Sequence, residues 1–299
     1  MSWNSKRHIL YDESGSGGGS SPFVSGFVIR DDNTKVLRSD GFYVVRTFPA
    51  DPADLVHWHD YGFGAVLNGS TLSEVKARYG INHSTQSSPA LQPVYTASDA
   101  SFNNLPSVTF DGTDDVIDSD SDIPAIHGAS GFTAIFAMNW VITPTVVANI
   151  FFSKWRSSQA TFAIQIFRSS ATKVKFSVFI ADSPTSGGGQ VTTSIALTWS
   201  PANNIVVIRY DGSKSAQVER ISQIVAGITY ATFSVSGTLS PTLTSATGAL
   251  ATGELGLGAN RFGGKIAEQL LFKAALPDTL VNDWANYLAT KYALVWNDL

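Results

Sequence analysis

The chain has 299 residues, no cysteine and a formal net charge of -4, from 20 Lys plus Arg against 24 Asp plus Glu. No cysteine means no disulfide and no thiol chemistry. The weakly acidic balance supplies no basic field for phosphates, so nucleic acid is set aside as a partner. No apolar run approaches the ~20 residues of a membrane span, so no membrane insertion is expected.

Charged residues are 15% of the chain against ~25% in ordinary soluble domains. Polarity must then come from Ser, Thr, Asn and Gly, as on a turn-rich β protein. The start, Met1 to His8, lacks the apolar stretch of a signal peptide, which predicts synthesis and folding in a cytosol. On that expectation the sequons at Asn68 and Asn82 have no glycosylation role.

In chain order, residues 14 to 21 are a Gly/Ser tract that cannot build a core. Phe23 to Arg30 and Gly41 to Phe48 are predicted strands around the turn Asp31-Asp32-Asn33. Two strands alone are marginal, so this pair must lean on something larger. It is read either as an attachment arm, residues 1–52, or as an extra hairpin on a main domain, residues 53–299.

His57-x-His59 puts two imidazoles on one face of a strand with Asp60 adjacent, a partial metal-ligand set at most. From Leu105 to Asp115, Val108 and Phe110 alternate as a half-buried strand, and Asp111-Gly112 predicts a tight hairpin turn. Asp111, Asp114 and Asp115 offer the hard oxygens that calcium prefers. Asp also shapes turns routinely, and that role is the preferred one here.

Further strands are predicted at Phe132 to Trp140, Asn149 to Lys154, Ala160 to Arg168, Lys173 to Ile180, Val191 to Thr198, Ile205 to Tyr210, Gln217 to Ile221 and Tyr230 to Val235. A sugar site needs an aromatic plane beside forked polar groups. Trp155 with Arg156 at a strand end is the first candidate, and Trp58 the second. Gly256 and Gly258 begin a dinucleotide-like pattern, but Arg261 occupies the third glycine position. One helix is predicted near the C-terminus, capped by Asp278, with Leu280, Val281, Trp284, Ala285, Leu288 and Tyr292 as its apolar stripe.

Several segments together carry a resemblance. Pro106 to Asp115 resembles the P-x-V-x-F-D-G-x-D-D hairpin of laminin-G-like domains. Asn204 to Ser213 is similar to a central strand ending in Y-D-G-S, Leu255 to Asn260 to L-x-L-G-A-N, and Phe262 to Glu268 to F-x-G-K-I-A-E. Tyr79 to Gln86 with Gln92-Pro93-Val94-Tyr95 resembles a segment of the bacterial and phage branch, with Tyr79 and Gln92 standing where that branch has Ser and Arg. Leu276 to Tyr292 resembles the family's closing helix, so the likeness spans about residues 53 to 296.

The resemblance implies an all-β, concanavalin-A-like antiparallel jelly roll with a C-terminal helix, behind an N-terminal arm. Laminarinase-type enzymes on this fold carry carboxylates spaced E-x-D-x-x-E, and that spacing is absent. Glu268 sits where many non-enzymatic relatives also have Glu, so no enzyme is expected. The function expected is a bacteriophage virion structural protein, such as a capsid decoration, head fibre or tail adhesin, made in the host cytoplasm. It would join other virion proteins through its arm, form a homo-oligomer and touch host surface glycans, with calcium the only cofactor entertained. The alternative is a carbohydrate-binding module or glycan-active enzyme of a bacterium.

Overall fold

The structure, a computed structural model, describes residues 54–79, 82–140, 149–156, 159–170, 173–181, 188–193, 197–198, 203–230, 233–254 and 261–299, with the strand pairs at 36–37 and 43–44. The chain divides into two compact units, Met1–Ala50 and Asp51–Leu299. In the first, Val36–Leu37 (β1) pairs antiparallel with Tyr43–Val44 (β2). The expected strand at Phe23 to Arg30 lies outside the described residues.

The second unit runs through β3 (Leu55–Asp60), β4 (Ala65–Asn68), β5 (Thr71–Val75), β6 (Ser84–Thr85), β7 (Val94–Asp99), β8 (Leu105–Asp111), β9 (Ile117–Asp122) and β10 (Gly131–Trp140). It continues with β11 (Asn149–Arg156), β12 (Gln159–Ser170), β13 (Lys173–Ile180), β14 (Gly189–Thr193), β15 (Leu197–Thr198) and β16 (Asn204–Asp211). Then come β17 (Ile221–Val225), β18 (Ile228–Tyr230), β19 (Phe233–Ser236), β20 (Ala249–Thr252), β21 (Gly263–Phe272) and the helix α1 (Asp278–Tyr292).

Every pairing is antiparallel, and the pairings trace two layers. One runs β7-β8-β21-β10-β16-β17-β18, with β3 beside the C-terminal half of β21. The other runs β6-β9-β20-β11-β12-β13-β14-β19, with β15 also on β13. Strand β5 joins them by pairing with both β6 and β7. The fold is a two-layered antiparallel β-sandwich with a single C-terminal helix, the architecture that the sequence resemblance implies.

Aromatic rings fill the space between the layers. Phe132 of β10 stacks on Phe162 of β12 at 4.7 Å, and Phe136 meets Phe151 and Phe152 of β11 edge-on, each at 5.1 Å. Strand β10 is buried along its whole length. Phe132, Ala134, Phe136, Met138 and Trp140 face the core between the layers. The alternate residues Thr133, Ile135 and Ala137 lie on the opposite face, which α1 covers. Burial on both faces explains why β10 reads as a nearly continuous apolar run.

Helix α1 buries Val281, Trp284, Ala285, Leu288 and Tyr292, at helical spacing, against the outer face of the first layer. The expected cap is corrected. Pro277 occupies the N-cap position without a side-chain bond, and Asp278 is the first helical residue, paired with Arg209 at 2.5 Å. A carboxylate in the first turn still suits the helix dipole.

Two further expectations change. Asp111-Gly112 is not the turn of a hairpin: β8 pairs with β7 and β21, while β9 pairs with β6 and β20, so the turn is a corner between layers. Gly112 takes φ +78°, and a Cβ there would sit 3.3 Å from the Gly263 Cα. The strand expected at Gln217 to Ile221 is a 3-10 turn at Gln217–Glu219 followed by β17.

Candidate functional site

A group of ionisable side chains lies between α1 and the first layer. A bulge in the β10–β21 ladder, between Ala137 and Met138, leaves Ala267 as an extra residue, so Ile266 pairs with Met138 and Glu268 with Ala137. Without that insertion Ile266 and Glu268 would share one face by simple alternation. With it, Ile266 enters the core and Glu268 turns toward the helix.

Glu268 is fully buried. Its Oε1 accepts from Trp58 Nε1 at 2.6 Å, and its Oε2 accepts from Lys291 Nζ at 2.6 Å and Tyr292 OH at 2.7 Å. Asp60 stands opposite it in β3. Asp60 Oδ2 accepts from Lys291 Nζ at 2.8 Å and Arg78 Nη1 at 2.7 Å, and its Oδ1 accepts from the Gly62 amide at 3.0 Å. Burial raises the Glu268 pKa, helped by Asp60 and opposed by Lys291 and Tyr292. Burial also pushes the Tyr292 hydroxyl well up, keeping it a donor.

Two carboxylates against two cations, closed by indole and phenol donors, form a satisfied buried network that fastens α1 to the sandwich. Its parts sit in segments that carry the family resemblance, Glu268 in Phe262 to Glu268 and Lys291 and Tyr292 in the closing helix. Their sequence separation hides the contact.

On the other side of β3, His57 and His59 are 1% and 0% exposed, with ring centroids 4.0 Å apart. Among the described residues neither His57 nitrogen has a hydrogen-bond partner, and His59 Nδ1 lies 3.4 Å from Gln269 Nε2. Burial lowers the His57 pKa to about 3, and burial, with His57 and His83 nearby, lowers His59 well below its ordinary value. Both rings are neutral near pH 7.

The structure gathers Asp111, Asp114 and Asp115, with one ligand atom from each mutually within 4.8 Å, and among the described residues this is the only such group of three. Asp111 Oδ1 accepts from the amides of Thr113 at 2.7 Å and Asp114 at 3.2 Å, and Asp115 Oδ2 from the Asp111 amide at 2.8 Å. Arg261 donates to the Asp114 carbonyl and pairs with Glu254 at 2.9 Å. Burial, reinforced by Asp111 and Asp114, raises Asp115 to about 6. The Asp111 and Asp115 carboxylates thus bind backbone amides of the corner.

Trp58, weighed for sugar binding, is 7% exposed, meets Trp284 edge-on at 5.4 Å and spends its indole N–H on Glu268. It offers no open ring face. Trp155 and Arg156 end β11 opposite Ala160 and Gln159, and their side chains lie outside the described residues, as do Gly256 and Gly258. Phe63, absent from the sequence-level candidates, is 44% exposed beside the Arg78 guanidinium, 5.4 Å from its ring centre.

No protein-family model and no curated protein sequence matches the chain. Among solved structures it is similar to the native heptameric SAP-like pentraxin of Limulus polyphemus, at 12% identity over 64% of this chain and 86% of that one, TM-score 0.46. Domain 4 of AbnA, a GH43 extracellular arabinanase of Geobacillus stearothermophilus, in complex with arabinotriose, shares 13% identity over 78% and 98%, TM-score 0.47. The Trypanosoma rangeli sialidase in complex with sialic acid shares 13% over 86% of this chain but 35% of its own length, TM-score 0.47. The chain spans about a third of that sialidase. These likenesses concern the fold and transfer no functional residue.

Proposed function

We propose that the protein is a non-enzymatic display module, a β-sandwich of the virion of a bacteriophage, carried by its N-terminal segment and presenting loops to host surface glycans. The observation that supports the non-enzymatic part is the state of Asp60 and Glu268. Glycoside hydrolysis needs a carboxylic acid and a carboxylate flanking a sugar. Here the adjacent pair is buried beneath α1, and its oxygens are committed to Lys291, Arg78, Tyr292 and Trp58. The virion setting rests on the sequence resemblance to the bacterial and phage branch.

The test is to purify the particles by density gradient and identify their proteins, comparing the full chain with a variant lacking residues 1–52. The full chain is expected on the particle and the truncated chain, still folded, off it. Recovery of the truncated chain on particles places attachment in the sandwich, and absence of the full chain overturns the virion reading. Glycan contact is tested by Trp155→Ala, which should keep the fold and weaken binding to host cells about tenfold, the effect of ~1.4 kcal/mol. Calcium is not required in this reading.

A further inference from the structure

Lys154 of β11 is a second buried ion, in the other layer and far in sequence from the helix network. Its side chain is 1% exposed, and Nζ lies 2.5 Å from Asp122 Oδ1, 2.6 Å from the Ala246 carbonyl and 3.1 Å from the Gly248 carbonyl. Asp122 ends β9, separated from β11 by β20, so the lysine reaches past one whole strand. Asp122 Oδ2 faces His127 Nε2 at 3.2 Å.

From this arrangement we infer that Lys154 and Asp122 form an intramolecular amide bond, joining β9 to β11 across β20. The geometry has what the reaction needs. Once the ammonium passes a proton to Oδ1 along the 2.5 Å hydrogen bond, the two remaining N–H bonds are held by the Ala246 and Gly248 carbonyls. The freed amine then lies against the Asp122 carboxyl group, whose Cγ it attacks. Proximity of this kind replaces the entropy cost of a bimolecular encounter.

The step balances. The Nζ–Cγ bond forms, one Cγ–O bond breaks, and that oxygen leaves as water. The departing oxygen is Oδ1, which carries the proton first received from the ammonium and takes a second from the nitrogen, so water leaves with two of the three ammonium protons and the amide keeps the third. No oxidant, reductant or co-reactant is consumed. The product replaces two opposite charges in a poorly hydrated place by a neutral amide, relieving their desolvation cost.

Burial lowers the Lys154 pKa, against the upward pull of Asp122. Burial acts upward on Asp122, but Lys154, with His127, outweighs it and leaves its pKa lowered. Burial thus favours the neutral amine from which the amide is drawn, while the Asp122 charge favours the ion pair.

Intact-mass measurement of the purified full chain decides the matter. The bond predicts a species lighter by one water than the sequence mass and, after tryptic digestion, a branched peptide linking Lys154 to Asp122. Lys154→Arg and Asp122→Ala should each restore the full mass, but the wild-type spectrum alone suffices if either fails to fold. A wild-type protein at full mass, with tryptic cleavage after Lys154, overturns the inference. So does a water loss that maps to Asp40-Gly41, Asp111-Gly112 or Asp211-Gly212, where a succinimide accounts for it.

Discussion

Asp60 and Glu268 face each other across the β3–β21 ladder, and the Lys291 ammonium sits between them, 2.8 Å from one carboxylate and 2.6 Å from the other. Two like charges are tolerated side by side because a cation from α1 binds both. Lys291 is therefore the residue whose loss costs most among the ions of the helix.

Lys291→Met should destabilise the protein by ~3 to 5 kcal/mol, the range for removing one partner of a buried ionic group. Adding Glu268→Gln should recover part of the loss, since Asp60 keeps Arg78. Denaturant titration of the single and double variants checks this. Equal stability of wild type and Lys291→Met would mean that the carboxylates are already protonated or hydrated.

Trp284→Ala should cost ~3 to 5 kcal/mol, as for other large buried aromatics. Trp284 is 1% exposed and packs on Trp58 and Phe272 at 5.4 and 5.7 Å. An unchanged melting temperature would show that α1 is not docked in solution.

These contacts show what the sequence disclosed and what it hid. Strands β10 and β16 are legible because their apolar runs are bounded by turns, β13 because Val174, Phe176, Val178 and Ile180 alternate along it, and α1 because its stripe repeats at helical spacing. The Asp111-Gly112 corner looks locally like a hairpin, and the partners that overrule it, β20 and β21, lie more than a hundred residues downstream. The helix network was illegible for a similar reason. Trp58 and Glu268 are 210 positions apart, and only the bulge at Ala267 aims Glu268 at the helix. Trp58, flanked by two histidines, gives no local sign that α1 will cover it.

Acid should weaken the fold through His57 and His59. Their folded pKa values are lowered below the ordinary 6.5, His57 to about 3, so the unfolded chain binds more protons as pH falls below about 6.5. The stability of the neutral pair is full above that pH and is lost on the way down to about 3. At ~1.4 kcal/mol per pH unit, His57 alone costs about 2 kcal/mol at pH 5, and His59 acts in the same direction. Glu268, whose pKa is raised, gives the opposite slope above its ordinary 4.5. Unfolding free energies at pH 7 and pH 5 test this, and His57→Leu should reduce the difference. No change between the two pH values would contradict the buried, neutral assignment.

The central claim is that Asp60 and Glu268 build the fold and perform no chemistry. Reducing-sugar release from β-glucans and host polysaccharide by wild type and Glu268→Gln, each measured beside its melting curve, tests it most directly. The account predicts no release by either protein and a lower melting temperature for Glu268→Gln, which leaves Lys291, Tyr292 and Trp58 with a neutral partner. Release by the wild type that disappears in a fully folded Glu268→Gln would contradict it.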